Sequence, residues 1–125
     1  MDVAKQVEYW TEGSEEDLSA AESLLEKGHL RHGLFFAHLA LEKMLKALVV
    51  QRTGQSPPKI HNLIRLAALA DVKLDQERDD CLREFGVYQL EGRYPDSQQL
   101  LLSDQEAREE LKRAQEMLAW LKQRL

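Results

Sequence analysis

The sequence predicts an all-α fold, an up-and-down antiparallel helical bundle of four to five helices. Three observations predict it. Apolar residues recur three and four positions apart along most of the chain, strand-like alternation is nearly absent, and Gly and Pro fall where successive helices should stop. With 125 residues and 43% hydrophobic content, the chain has the size of one domain, 1–125, able to bury a core of its own.

The first predicted helix carries Val3, Val7 and Trp10, then Leu18, Ala21, Leu24 and Leu25, and ends before Gly28. Gly13 and Ser14 interrupt it. Ser14 and Asp17 could form a capping box that starts a new helix, or one helix runs through and carries Gly13 at a cost of about 1 kcal/mol; continuity is the preferred reading. The second helix spans about Leu30 to Arg52 and places Leu34, His38, Leu41, Leu45 and Leu48 on one face. Phe36, Ala40, Ala47 and Val50 make most of the remaining circumference apolar, leaving a narrow polar stripe through Glu42, Lys43 and Lys46. Such a helix needs cover on several sides, as the central helix of a bundle, as half of a subunit interface, or as both.

The link from Thr53 to Lys59 holds Gly54, Pro57 and Pro58, which end a helix and keep the backbone extended. A short third helix carries Leu63, Leu66, Ala67 and Ala70. A fourth, Asp75 to Glu91, turns Leu82, Phe85 and Tyr88 inward and stops at Gly92 and Pro95. Ser103 and Glu106 form a capping box that opens the last helix, whose seam runs Ala107, Leu111, Ala114, Leu118, Leu121, Leu125. A seam of that length docks into its own bundle more readily than it builds a coiled coil.

Charge is sorted along the chain. Residues 29–70 hold six of the 17 Lys/Arg but, in Glu42, only one of the 22 Asp/Glu, so the net charge of −5 hides a cationic middle in an acidic shell. Such a local patch favours a specific anion or an acidic partner, and the negative total argues against a broad nucleic-acid surface. Cys81 stands alone, which excludes an internal disulfide and reads as a structural thiol in a reducing compartment. The N-terminal MDVAKQVEYW has no secretory apolar core, and no apolar run is long enough for a bilayer, so a cytoplasmic protein without membrane attachment is expected.

Short links favour antiparallel neighbours, so the end of the second helix, the start of the third and the end of the fourth should share one pole. That pole would gather Arg52, Lys59, His61, Asn62, Arg93, Tyr94 and Asp96. The unpaired N–H groups opening the third helix would add to the attraction for phosphate, with Arg93 supplying a planar fork of donors and Lys59 a point charge. The structural alternative is that His61 or Asn62 caps the third helix and that Arg93 pairs with Asp96.

These residues carry a resemblance. The order A-x-x-L-L-x-x-G (Ala21 to Gly28), F-F-A-H-L-A-L-E-K-M-L-K-A-L (Phe35 to Leu48), His61-Asn62-Leu63 and Arg93-Tyr94-Pro95-Asp96 resembles the HEPN domain, named for higher eukaryotic and prokaryotic nucleotide-binding proteins. Glu42 to Ala47 is similar to that family's E-K-x-x-K-A pattern; read blandly, Glu42–Lys46 is a helix-surface pair worth a few tenths of a kcal/mol, and read functionally Lys43 or Lys46 lines an anion site. The resemblance implies a helical bundle, often a homodimer, found in prokaryotes beside a small nucleotidyltransferase with which it forms a toxin–antitoxin-like pair. It makes the expected ligand a nucleotide or another phosphate-bearing molecule, held by Lys59, His61, Asn62, Arg93, Tyr94 and Lys46, with no further cofactor. Phe35, Phe36 and Leu39 are the expected contact surface.

Some members are metal-independent ribonucleases marked by an arginine followed, four to six residues on, by a histidine. This chain departs from that pattern: Pro95 follows Arg93, and no histidine lies beyond His61. The expectation is therefore a non-catalytic binding module. The alternatives are a rewired ribonuclease using Arg93 and His61, the one reading in which RNA is a substrate, and a helical interaction scaffold. Arg31 and His38 satisfy the bare spacing, but His38 sits in a stripe of leucines and reads as a core or interface histidine. His29 and His32, with Glu26, echo half of a di-iron motif; Gly28 should break the helix between them, and no metal is expected. No P-loop, dinucleotide fingerprint or Ser-His-Asp pattern is present.

Overall fold

The computed structural model describes residues 1–89 and 102–125; the predicted end of the fourth helix at Glu91, and Arg93, Tyr94, Pro95 and Asp96, lie outside them. The described residues form five α-helices and no strand: α1 (Val3–Glu26), α2 (Leu30–Thr53), α3 (Leu63–Leu69), α4 (Gln76–Phe85), continued by a 3-10 turn at Gly86–Tyr88, and α5 (Asp104–Lys122). None of the described helices is long and apolar enough to cross a membrane.

α1 is one continuous helix through Gly13 and Ser14. The reason is tertiary. Ser14 is fully buried and donates its hydroxyl to the Ala40 carbonyl on α2 at 2.6 Å, while a Cβ on Gly13 would lie 3.2 Å from Cδ of Lys43. Two small residues thus let α1 and α2 approach closely, and the preferred continuous helix is the one observed, Ser14 making a hydrogen bond between helices and not the alternative local cap. The contacts Ser14–Ala40, Trp10–Lys46 and Asp17–Lys43 show the two helices antiparallel. Gly28, at φ +85°, reverses the chain between them and separates Glu26 from the helix that begins after His29.

α2 is the central helix. Leu34, Leu41, Met44, Leu45, Leu48 and Val50 are fully buried, each worth about 1.5–3 kcal/mol relative to exposure. α5 packs on α1 and α2 with the direction of α2: Gln115 bonds to Glu22, and Lys122 pairs with Glu15. Its predicted capping box is formed, the Ser103 hydroxyl accepting from the Glu106 N–H and the Glu106 carboxylate from the Ser103 N–H. α4 runs against α5, with Arg113 of α5 on Glu84 and the Arg78 guanidinium 4.5 Å from the Trp120 ring centroid.

α3 departs from the alternation. The antiparallel rule placed its start beside the end of α2, but His61 lies against Glu42 in the middle of α2, whereas Asp71, just past α3, is 4.0 Å from Arg52 near the α2 C-terminus. α3 therefore runs in the same sense as α2. Residues 54–62, with Pro57 and Pro58, are long enough to carry the chain back about 15 Å along α2, the rise of the ten residues from Glu42 to Arg52. The shared pole is moved accordingly: it joins the start of α3 and the end of α4 to the middle of α2 and excludes Arg52.

Candidate functional site

His38, Glu42 and Lys46 stand four residues apart on one face of α2 and are all buried, at 1%, 4% and 6% exposure. The predicted polar stripe is thus largely interior. Glu42 is its centre. Lys46 Nζ donates to Oε2 at 3.0 Å, His61 Nδ1 lies 3.0 Å from Oε1, and His38 Nδ1 lies 3.9 Å from the same oxygen. Lys46 Nζ is also 5.4 Å from the Trp10 ring centroid, within the range of a cation–π contact. A buried carboxylate is costly unless it is paired and hydrogen-bonded, and here both oxygens are engaged.

His61 reaches Glu42 because the Pro57-Pro58 link delivers it there and Asn62 fixes the turn that follows. Asn62 is the N-cap of α3, its side-chain oxygen accepting from the Arg65 N–H at 3.0 Å. Beside His61 opens a cleft of about 660 Å³ lined by His38, His61, Asn62, Arg65, Leu82 and Arg83 among others, a volume within the usual range of small-ligand sites. Two guanidinium groups and two imidazoles over a partly apolar wall suit an anionic ligand with an organic body. Arg83 also pairs with Asp79, at 2.5 Å within α4, and the ring of His61 is half-exposed toward the cleft.

The two histidines differ in exposure, His38 being buried and the His61 ring half-exposed. Burial pushes His38 down from 6.5 to about 4; the Glu42 carboxylate opposes that shift, and nearby His61 adds to it. His38 is thus a neutral imidazole at ordinary pH, and its Nδ1 is a buried nitrogen without a hydrogen-bond partner. Cys81 is buried, and desolvation pushes its thiol up to about 11, so it stays protonated as a structural residue.

Of the residues expected at the anion site, His61 and Asn62 line the cleft and Lys59 is exposed two positions before His61. Lys46 is buried on Glu42 and does not line it. Arg93 and Tyr94 lie outside the described residues. Phe35, Phe36 and Leu39 are partly exposed, and the rings of Phe35 and Phe36 meet edge to face at 5.8 Å. Sequence reasoning missed Arg65, Arg83 and the central place of Glu42. A signal for Glu42 was present: it is the single acid among residues 29–70, set within an apolar helix four residues from a histidine and four from a lysine.

The HEPN domain model matches residues 7–124, nearly the whole chain. The chain belongs to the HEPN family. In fold, this HEPN chain is similar to TT1696 from Thermus thermophilus, with a TM-score of 0.82 at 28% identity over 96% of this chain and 98% of that one. It is also similar to ST0689, an archaeal HEPN homologue, with a TM-score of 0.75 at 23% identity over 94% of this chain and 96% of that one. No curated protein matches it.

Proposed function

We propose that this HEPN protein is a non-catalytic, dimeric binding module that holds a nucleotide or other phosphate-bearing ligand and acts with a small nucleotidyltransferase in a toxin–antitoxin-like pair. The observation that carries the ligand is the convergence of Arg65, Arg83, His38 and His61 on one cleft of about 660 Å³. The guanidinium groups give planar, charge-assisted donors for phosphate oxygens, and Leu82 and Ile64 supply apolar surface for a base or sugar. Asn62 fixes the start of α3, Lys46 holds Glu42 in place, and Lys59, Arg93 and Tyr94 extend the ligand set on sequence grounds. Phe35, Phe36 and Leu39 form the dimer face in this reading.

Calorimetric titration with AMP and ATP tests the ligand. Arg65→Ala and Arg83→Ala each remove a charge-assisted hydrogen bond worth about 1.5–3 kcal/mol and should weaken binding at least tenfold, with the melting temperature held within a few degrees. Unchanged affinity in both variants would refute the site.

One observation favours a second reading, a metal-independent ribonuclease. The Glu42 carboxylate holds the His61 ring at 3.0 Å beside two arginines, an arrangement in which an oriented imidazole moves a proton while guanidinium groups stabilise a phosphorane-like charge. It requires RNA cleavage in chelator, abolished by His61→Ala; intact RNA after prolonged incubation with wild type leaves the binding module standing.

A further inference from the structure

Gly86 is a glycine that its own fold does not require. It ends α4 at φ −56° and ψ −26°, right-handed helical backbone that any residue adopts. Its N–H donates to the Arg83 carbonyl and its carbonyl accepts from the Gln89 N–H at 3.3 Å, so both backbone groups are used inside the turn. Packing does not call for it either: no atom of a described residue lies within 4 Å of the place a Cβ would take, whereas the same place at Gly33 is filled. A glycine in this setting weakens the element that carries it, because the unfolded chain is freest there. Its location offers a reason. Gly86 is exposed on the wall of the cleft of about 660 Å³, one turn beyond Leu82.

Resting on the reading of this cleft as a phosphate site, we propose that Gly86 is kept bare so that a planar ring of the ligand can lie against its peptide, which makes the ligand class a nucleoside phosphate and not phosphate or a sugar phosphate alone. The surroundings divide accordingly. Ile64, half-buried, and Leu63 and Leu82, at 2% and 1% exposure, line the same cleft and give its apolar side. Arg65 and Arg83 give the charged side: Arg65 has no ion-pair partner among the described residues, and Arg83 engages Asp79 through Nε. A flat ring on a bare backbone touches it over a whole face, and those contacts are individually small but add up. A side chain at position 86 would lift the ring and forfeit part of them, while a phosphate held by guanidinium groups would keep its own contacts. Because the polar groups of Gly86 are already bonded, the contact is one of surface, and its loss follows the size of the side chain introduced.

Calorimetry with AMP, ribose 5-phosphate and inorganic phosphate separates the ring contact from the phosphate contact. Wild type should bind AMP about tenfold or more tightly than ribose 5-phosphate. Gly86→Leu should bring AMP to within about threefold of ribose 5-phosphate and leave the affinity for the sugar phosphate unchanged. Gly86→Ala should move two readouts in opposite directions, the melting temperature rising by about 2–4 °C while AMP binding weakens by about threefold. The comparison of ligands on wild type needs no variant, so it stands whatever Gly86→Leu does to folding. Equal affinity of wild type for AMP and ribose 5-phosphate, or AMP affinity unchanged in Gly86→Leu, would overturn the ring contact and leave the phosphate site in place. A Gly86→Ala protein that melts lower would overturn it too, since the glycine would then serve the fold. If none of the three ligands binds wild type, the phosphate site fails and the ring contact with it.

Discussion

α2 meets its neighbours in two contrasting ways. Toward α1 it offers Gly33 and Ala40, and around them the contact is close and set by size: a Cβ on Gly33 would come within 2.1 Å of Leu25 Cδ1 and 3.2 Å of the Ala21 carbonyl. Toward His61 and the start of α3 it offers His38 and Glu42, and the contact is held by a carboxylate shared among basic groups. The first surface is governed by volume and the second by charge. Volume complementarity is satisfied once, on folding. Charge balance can be altered by a ligand or a proton, which is why the candidate site lies on the second surface.

The largest effect expected on this contrast comes from Glu42→Ala, which leaves Lys46 buried without its counter-ion and should cost about 3–5 kcal/mol in urea unfolding. The double change Glu42→Leu/Lys46→Met should recover most of that loss. A double variant as unstable as the single one would mean that the polar surface, too, is governed by shape. On the α1 side, Gly33→Ala should cost about 1–3 kcal/mol by overpacking against Leu25, itself 1% exposed, with a matching fall in melting temperature; an unaffected protein would show that α1 can shift freely on α2.

A third expected effect is a pH dependence. His38 has its folded-state value pushed down from 6.5 to about 4, so the unfolded chain binds the proton more readily. The stability that neutral His38 contributes is complete above 6.5 and is lost as pH falls toward 4. Melting temperature measured across that window should fall more steeply for wild type than for His38→Gln, and parallel curves would place the acid sensitivity at other groups.

The helices were largely legible because their signals are local. The apolar period of α2, the Ser103–Glu106 box and the stop at Gly28 each depend on residues a few positions apart, and each appears in the structure. The direction of α3 was not legible, since a nine-residue link can return to either end of α2 and only packing selects one. The candidate site was half legible for the same reason. His61 and Asn62 stand out as a polar pair before an apolar run, but Arg83 reaches the cleft only through the placement of α4, and nothing next to Glu42 in sequence announces that His61, 19 residues away, completes its coordination. Ser14 is a similar case: its hydroxyl suits a local cap or a neighbouring helix, and the close approach of Ala40 chose between them.

The doubling-back of residues 54–62 also imposes an order of assembly. Glu42 and Lys46 find each other as soon as α2 coils, four residues apart on one turn, whereas His61 must wait for a chain reversal to be closed against a helix already formed. The cleft is therefore expected to be completed after the core helix has coiled, since its closing contact spans 19 residues where the helix-internal pair spans four.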